Sequence, residues 1–252
     1  MLSFSRPVIA AVVAAGSFLA SAGVARADII HIAGGTGHPG AFTGSIEVKY
    51  TPGDTTAQII VKLKNESPIA NGGFITGFAF NDPSSVSGGD IVKVTGYTQA
   101  YDPAGAPPPN HMSLIGVNPD GTLLDNSISG SPYGKFDLGA AVGGNLLGGG
   151  SPQPGIEVGQ TGTFTFTVTG TNLQNLSAES ILGTPSQGGT AAFIVRFRGF
   201  CDGSSDKIVI GAKTPPSGGG YPIPAPPAVV LAGLGIASCL LGPAFRRRAV
   251  TA

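Results

Sequence analysis

The chain contains no tryptophan, only two cysteines, and few charged residues. Each shortage narrows what it can be. Without tryptophan, the largest aromatic platform for stacking on a sugar ring is missing, and tyrosine has to serve. With Cys201 in the body and Cys239 inside an apolar tail, no disulfide framework holds the fold. Cys201 reads as a small thiol, buried or next to a turn, with no His or second Cys near it in sequence. Charged residues are 11% of the chain. Setting aside Arg6, Arg26 and Arg246–Arg248 leaves nine Lys/Arg against fourteen Asp/Glu, a body near −5. A mildly acidic, lysine-poor body argues against nucleic acid as a partner. The body also lacks any stretch with a helical period sustained over three turns; the best helical candidate is 173–182, and it is short.

What is present begins with the two ends. Residues 1–27 have the form of a secretory signal peptide: Arg6, an apolar core from Val8 to Leu19, and Ala25-Arg26-Ala27 before a mature start at Asp28. At the other end, 214–227 is a Pro/Gly-rich spacer ending in Pro222-Ile223-Pro224-Ala225-Pro226-Pro227. An apolar run, 228–245, is long enough for a single membrane helix, and 246–252 opens with Arg246-Arg247-Arg248. The arginines would stay cytoplasmic.

Between them, 28–213 is long enough for one hydrophobic core. The 41 glycines and 21 prolines together make close to a quarter of the chain, yet 41% of residues are apolar and these fall in alternation. Ile46, Val48 and Tyr50 alternate with Glu47 and Lys49; Ile59, Val61 and Leu63 follow the same rule. Phe74, Phe78 and Phe80 share one parity. The cleanest run is Phe164, Phe166 and Val168 between Thr163, Thr165, Thr167 and Thr169. Segments 91–97, 193–198 and 207–211 complete the series. Residues two apart face one side of a strand, so each run can place one row in a core. Thr51-Pro52-Gly53-Asp54 reads as a hairpin turn, and Asn71-Gly72-Gly73, Asn81-Asp82-Pro83 and Ser87-Gly88-Gly89-Asp90 as further turns. The pattern predicts an all-β fold, an antiparallel β-sandwich of jelly-roll-like type. The Pro-rich 102–110 and the Gly-rich 139–155 read as long surface loops, where a site would sit.

No motif supplies a catalytic frame. Gly35-Thr36-Gly37-His38-Pro39-Gly40 matches a dinucleotide fingerprint, but Pro39 and a strand-like segment follow where a helix is required, so no cofactor is expected. His31, His38 and His111 lack metal-ligand spacing. Asp202-Gly203-Ser204-Ser205-Asp206 offers two carboxylates and two hydroxyls to a calcium ion; the missing EF-hand alternation favours a polar turn. A Gly-x-Ser-x-Gly elbow is absent, while paired glycosidase carboxylates would not show in sequence. Tyr97, Tyr101 and Tyr133 are the loop-associated stacking candidates for a glycan, or else caps on loop bases.

The tail, with its Pro224-Ala225-Pro226, apolar run and arginine cluster, resembles a PEP-CTERM sorting signal; Ala225 stands where the family has Glu, and Pro243 falls near the end of the helix. The resemblance implies processing at the inner membrane by an exosortase-like enzyme, in bacteria that make extracellular polysaccharide. A second, looser likeness joins 193–200 with 202–207, and 155–159 with 164–167, to small exported β-proteins bearing such tails, largely of unknown function. Together these give an exported, non-enzymatic protein of the cell surface or extracellular matrix, anchored at least transiently. The alternatives are a carbohydrate-binding module for the cell's own exopolysaccharide and, behind it, a glycan-active enzyme.

Overall fold

In the computed structural model, residues 26–87, 89–102 and 112–211 are described. The leader before Arg26, most of the Pro-rich segment, His111, Cys239, Pro224-Ala225-Pro226, the apolar run and Arg246–Arg248 lie outside them. The strands follow in chain order: β1 (Arg26–Gly34), β2 (Phe42–Tyr50), β3 (Thr56–Asn65), β4 (Gly72–Phe80), β5 (Asp90–Asp102), β6 (Ser113–Ile115), β7 (Ile128–Ser129), β8 (Lys135–Phe136), β9 (Leu138–Ala141), β10 (Thr161–Thr171), β11 (Ala191–Phe200) and β12 (Ser205–Gly211). Two short helices, α1 (Ser84–Ser87) and α2 (Ala178–Gly183), interrupt them. The described residues form an all-β fold whose sheets are antiparallel. One sheet has the order β1-β2-β3-β10-β5, the other β12-β11-β4-β9-β6; β7 and β8 form a small ribbon.

The alternating runs become strands for the reason the pattern predicts. In β10 the even residues Phe164, Phe166 and Val168 are fully buried, while the threonines between them stay partly exposed. Ile59, Val61 and Leu63 of β3 lie beside them on the same face. The turn between β2 and β3 closes with the Asp54 N–H donating to the Thr51 carbonyl at 3.0 Å. Phenylalanines join the two sheets. Phe78 of β4 sits 4.8 Å from Phe164 and 6.2 Å from Phe166, centroid to centroid, and stacks on Phe193 of its own sheet at 5.9 Å.

Three expectations need correcting. Phe74, Phe78 and Phe80 do not share a row. A register irregularity between Arg196 and Phe197 of β11 sets Phe197 opposite Ile75, so Ile75 enters the core and Phe74 stays half-buried. The bulge advances the parity by one residue, which a period-2 count cannot foresee. Second, 139–155 is not all surface loop. Its start is β9, an inner strand with Gly139, Ala140 and Ala141 buried against β4. Third, the candidate helix 173–182 splits into a turn of 3-10 helix at Leu173–Asn175 and α2, started by a Ser177/Ser180 capping box. β1 extends the first sheet alongside β2, over the apolar stretch that precedes the glycines at 35–40.

The second sheet is covered on both faces. Its outer side carries a smaller cluster of Ala79, Ile115, Ile128, Phe136, Leu146 and Ile194. That is why β4 and β11 read as nearly continuous apolar runs instead of alternating ones.

Gly139 shows how tightly this sheet is built. A Cβ there would fall 2.2 Å from the Phe78 carbonyl oxygen and 2.9 Å from the Ala79 Cα, both backbone. At Gly149 no atom lies within 4 Å of such a Cβ. Gly139→Ala is expected to lower unfolding free energy by about 1–3 kcal/mol, the range for overpacking. Gly149→Ala should stay within about 0.5 kcal/mol. Paired urea denaturation curves measure both.

Candidate functional site

Strand β5 forms one edge of the first sheet, and its inward row is Tyr97, Gln99 and Tyr101. Their rings and amide continue the core outward. Tyr97 lies 5.3 Å from Phe166 and Tyr101 lies edge-on to Phe164 at 6.0 Å. The polar ends converge on the chain entering β6. The Tyr97 hydroxyl donates to the Met112 carbonyl at 2.9 Å and Gln99 Nε2 donates to the same oxygen at 3.1 Å. Burial holds the Tyr101 phenol up at about 12 and pushes Tyr97 higher still, so both remain protonated donors.

Beside this row opens a cleft of about 740 Å³. Tyr97 and Gln99 line one side, with Ser113 and Leu114 of β6; Gly143, Gly149, Gly150 and Ser151 line the other. Among the described lining residues none is Asp, Glu, Lys, Arg or His. A neighbouring hollow of about 680 Å³ shares Tyr97 and Leu114 but carries Lys93 and Asp120. A third, of about 450 Å³ at the far end of the first sheet, carries Lys49 and Asp54.

The glycine wall is held from outside. Arg196 and Arg198 project from β11, and their Nη1 atoms donate to the carbonyls of Leu146 at 2.5 Å and Gly148 at 3.0 Å. Arg198 Nη2 reaches the Gly150 carbonyl at 2.6 Å. Burial, and then the neighbouring Arg198 charge, lower the Arg196 pKa, yet guanidinium stays charged under any physiological condition.

A second polar cluster lies at the turn after β4. Asp82 Oδ1 accepts from the Ile91 N–H at 2.9 Å, and its own N–H donates to Asp137 Oδ2 at 2.8 Å. Asp137 Oδ1 accepts from the Asn126 N–H at 2.5 Å. Both carboxyls are buried. Burial pushes Asp82 up to about 6, with Asp90 adding to the rise, and burial raises Asp137, with Asp125 adding. Apart from the Ser84 side chain on Asp82, their contacts are backbone N–H groups, so the pair ties together the chain at residues 82, 91, 126 and 137. Sequence pattern singles out neither residue, because nothing local distinguishes an aspartate that caps a distant loop.

The other sequence candidates disperse. Tyr133 sits in a turn and packs against the outer cluster of the second sheet, with its carbonyl accepting from Ser186 Oγ, so it does not join Tyr97 and Tyr101. Those two lie on a strand instead of a loop, with rings against the core. Asp202 turns back to accept from the Ser204 N–H at 2.8 Å, the polar-turn reading. Asp206 faces His38 Nδ1 at 2.9 Å. Among the described residues no group of three or more His, Cys, Asp or Glu is placed to hold a metal ion. The glycines at 35–40 form the connection from β1 to β2, with a strand after them. His31 is exposed on β1, and Cys201 is exposed in the turn before β12.

No protein-family model, curated protein or solved structure matches this chain.

The Asp82 shift has a sign that can be tested. Its folded pKa, about 6, lies above the ordinary 3.8, so the native state binds the proton more tightly than the unfolded chain. Stability from this group is full below about pH 4 and is lost as pH rises through 6, by about 3 kcal/mol at most. Wild-type stability, followed by denaturation across pH 4 to 7, should carry this fall. In Asp82→Asn, which keeps an acceptor for Ile91, that component should vanish.

Proposed function

We propose that this chain is an exported, non-enzymatic β-protein of the cell surface or extracellular matrix. The leader 1–27 carries it out by the Sec route, and the tail 214–252 places it at the inner membrane for an exosortase-like enzyme. The observation that carries this reading is the order of the tail: glycine spacer, Pro224-Ala225-Pro226, apolar run, Arg246-Arg247-Arg248. Such an order suits a span that is inserted and then processed, with the body outside and the arginines inside. The body suits exposure without a cofactor. Its buried carboxylates are engaged by backbone N–H donors that fix loops, a structural use.

We read the two sheets as a sandwich of jelly-roll-like type. Successive connections from β3 to β4, β4 to β5, β5 to β6, β9 to β10 and β10 to β11 each pass from one sheet to the other, which supports it. The departures are the meander β1-β2-β3, the passage from β6 through the β7-β8 ribbon to β9, and the hairpin β11-β12, each beginning and ending in one sheet.

A second reading, carbohydrate binding, is favoured by one observation, the uncharged cleft beside Tyr97 and Gln99. Glycan modules combine an apolar face with a few aimed polar groups, and this cleft offers both.

Intact mass of the protein recovered from membrane and medium tests the leading reading. The expected mature form begins at Asp28 and, in the medium, lacks Arg246–Arg248. Protein found only in the cytoplasm with residues 1–27 attached would overturn it.

A further inference from the structure

The cleft between β5, β6 and the glycine wall favours an uncharged occupant. A charged ligand entering it would shed water and meet no opposite charge among the described lining residues. A ligand rich in hydroxyls and free of charge would not bear that cost. Ser113 and Ser151 line it with hydroxyls that have no protein partner among the described residues; Gln99, whose Nε2 donates to the Met112 carbonyl and whose Oε1 accepts from the Tyr101 hydroxyl, keeps one further amide hydrogen. Tyr97, Leu114 and Pro154 supply carbon surface for the C–H faces of a sugar ring.

The wall facing them is made largely of glycine, which on its own would be the least ordered kind of wall. Here it is fixed. Four hydrogen bonds from Arg196 and Arg198, 2.5 to 3.4 Å long, reach the carbonyls of residues 146, 148 and 150, and neither arginine lines the cleft. Among the described residues no carboxylate pairs with either guanidinium, so the loop carbonyls are their partners. A wall ordered before the ligand arrives spares the ligand that ordering cost.

We propose that this cleft binds a segment of uncharged glycan, and that Arg196 and Arg198 are positioning residues that hold its glycine wall. The proposal rests on the carbohydrate-binding reading. It goes further by specifying a neutral ligand, one cleft, and two residues acting at a distance from it.

The test uses the full chain on an array of neutral and uronate-bearing oligosaccharides, with proline-rich peptides alongside, followed by titration of the best neutral ligand. Expected is binding to neutral members, with uronate-bearing ones and the peptides unbound. Gly149→Trp fills the cleft from a position with open space around its Cβ, and should weaken binding more than about tenfold by displacing the ligand. Arg198→Ala should weaken it about fivefold or more through lost preorganisation, with Arg198→Lys recovering part. Melting temperature should hold within about 2 °C in both Gly149→Trp and Arg198→Ala, separating positioning from general destabilisation. Binding to no glycan overturns the carbohydrate reading and this inference together. Glycan binding that Gly149→Trp leaves intact overturns the cleft and spares the reading. Uronate-bearing glycans or peptides bound as well as neutral sugars overturn the ligand class. Unchanged affinity in Arg198→Ala overturns the positioning role.

Discussion

Phe78 is the residue through which the two sheets meet. It stands against Phe164 and Phe166 across the interface and against Phe193 within its own sheet; Phe80 repeats the arrangement at 5.7 Å from Phe166 and 6.4 Å from Phe193. With no tryptophan in the chain and no disulfide among the described residues, these phenylalanines are the largest side chains in the core that joins the sheets. Each such ring typically contributes several kcal/mol, roughly 3–5 on truncation. The site depends on it directly. The row Phe166, Phe164 continues sideways into Tyr97 and Tyr101, so the cleft edge is an extension of the core and inherits its order.

The buried polar groups mostly bind backbone. Asn65, fully buried, donates to the carbonyls of Gly73 and Ile156 and accepts from the Ser67 N–H. Asn81 donates to the Thr184 carbonyl. Asp82 and Asp137 accept from N–H groups, and the two arginines donate to carbonyls. In a chain with so many glycine and proline breaks, loops cannot be held by regular ladders. Side chains anchored in strands hold them, and the unmet backbone groups of each loop are satisfied there.

The strands with one solvated face were legible, because alternation follows from the pleat. β2, β3 and β10 fall where Val48, Val61 and Phe164 place them, since one face of each strand meets water and the other the core. β9 was not legible: Leu138-Gly139-Ala140-Ala141 is short, small and buried on both faces, so it carries neither alternation nor bulk. The exchange of Phe74 for Ile75 in the core row came from a bulge set by the partner strand. Of the site, Tyr97 and Tyr101 could be found as rare aromatics near breaks in the pattern. Arg196 and Arg198 were visible only as the polar face of a strand. Their use is fixed by a loop about fifty residues away in sequence, a relation that local spacing does not encode.

The arginine clamp has a consequence for how this protein can change. Arg196 and Arg198 grip carbonyl oxygens, which every amino acid possesses, so the loop is held without regard to the side chains it displays. Leu147, Gly149 and Ser151 alternate with the gripped positions. The wall is therefore a cassette at those three positions: their side chains are free to drift while Gly143 and Gly150, at φ 78° and 93°, and the two arginines outside keep its path through space.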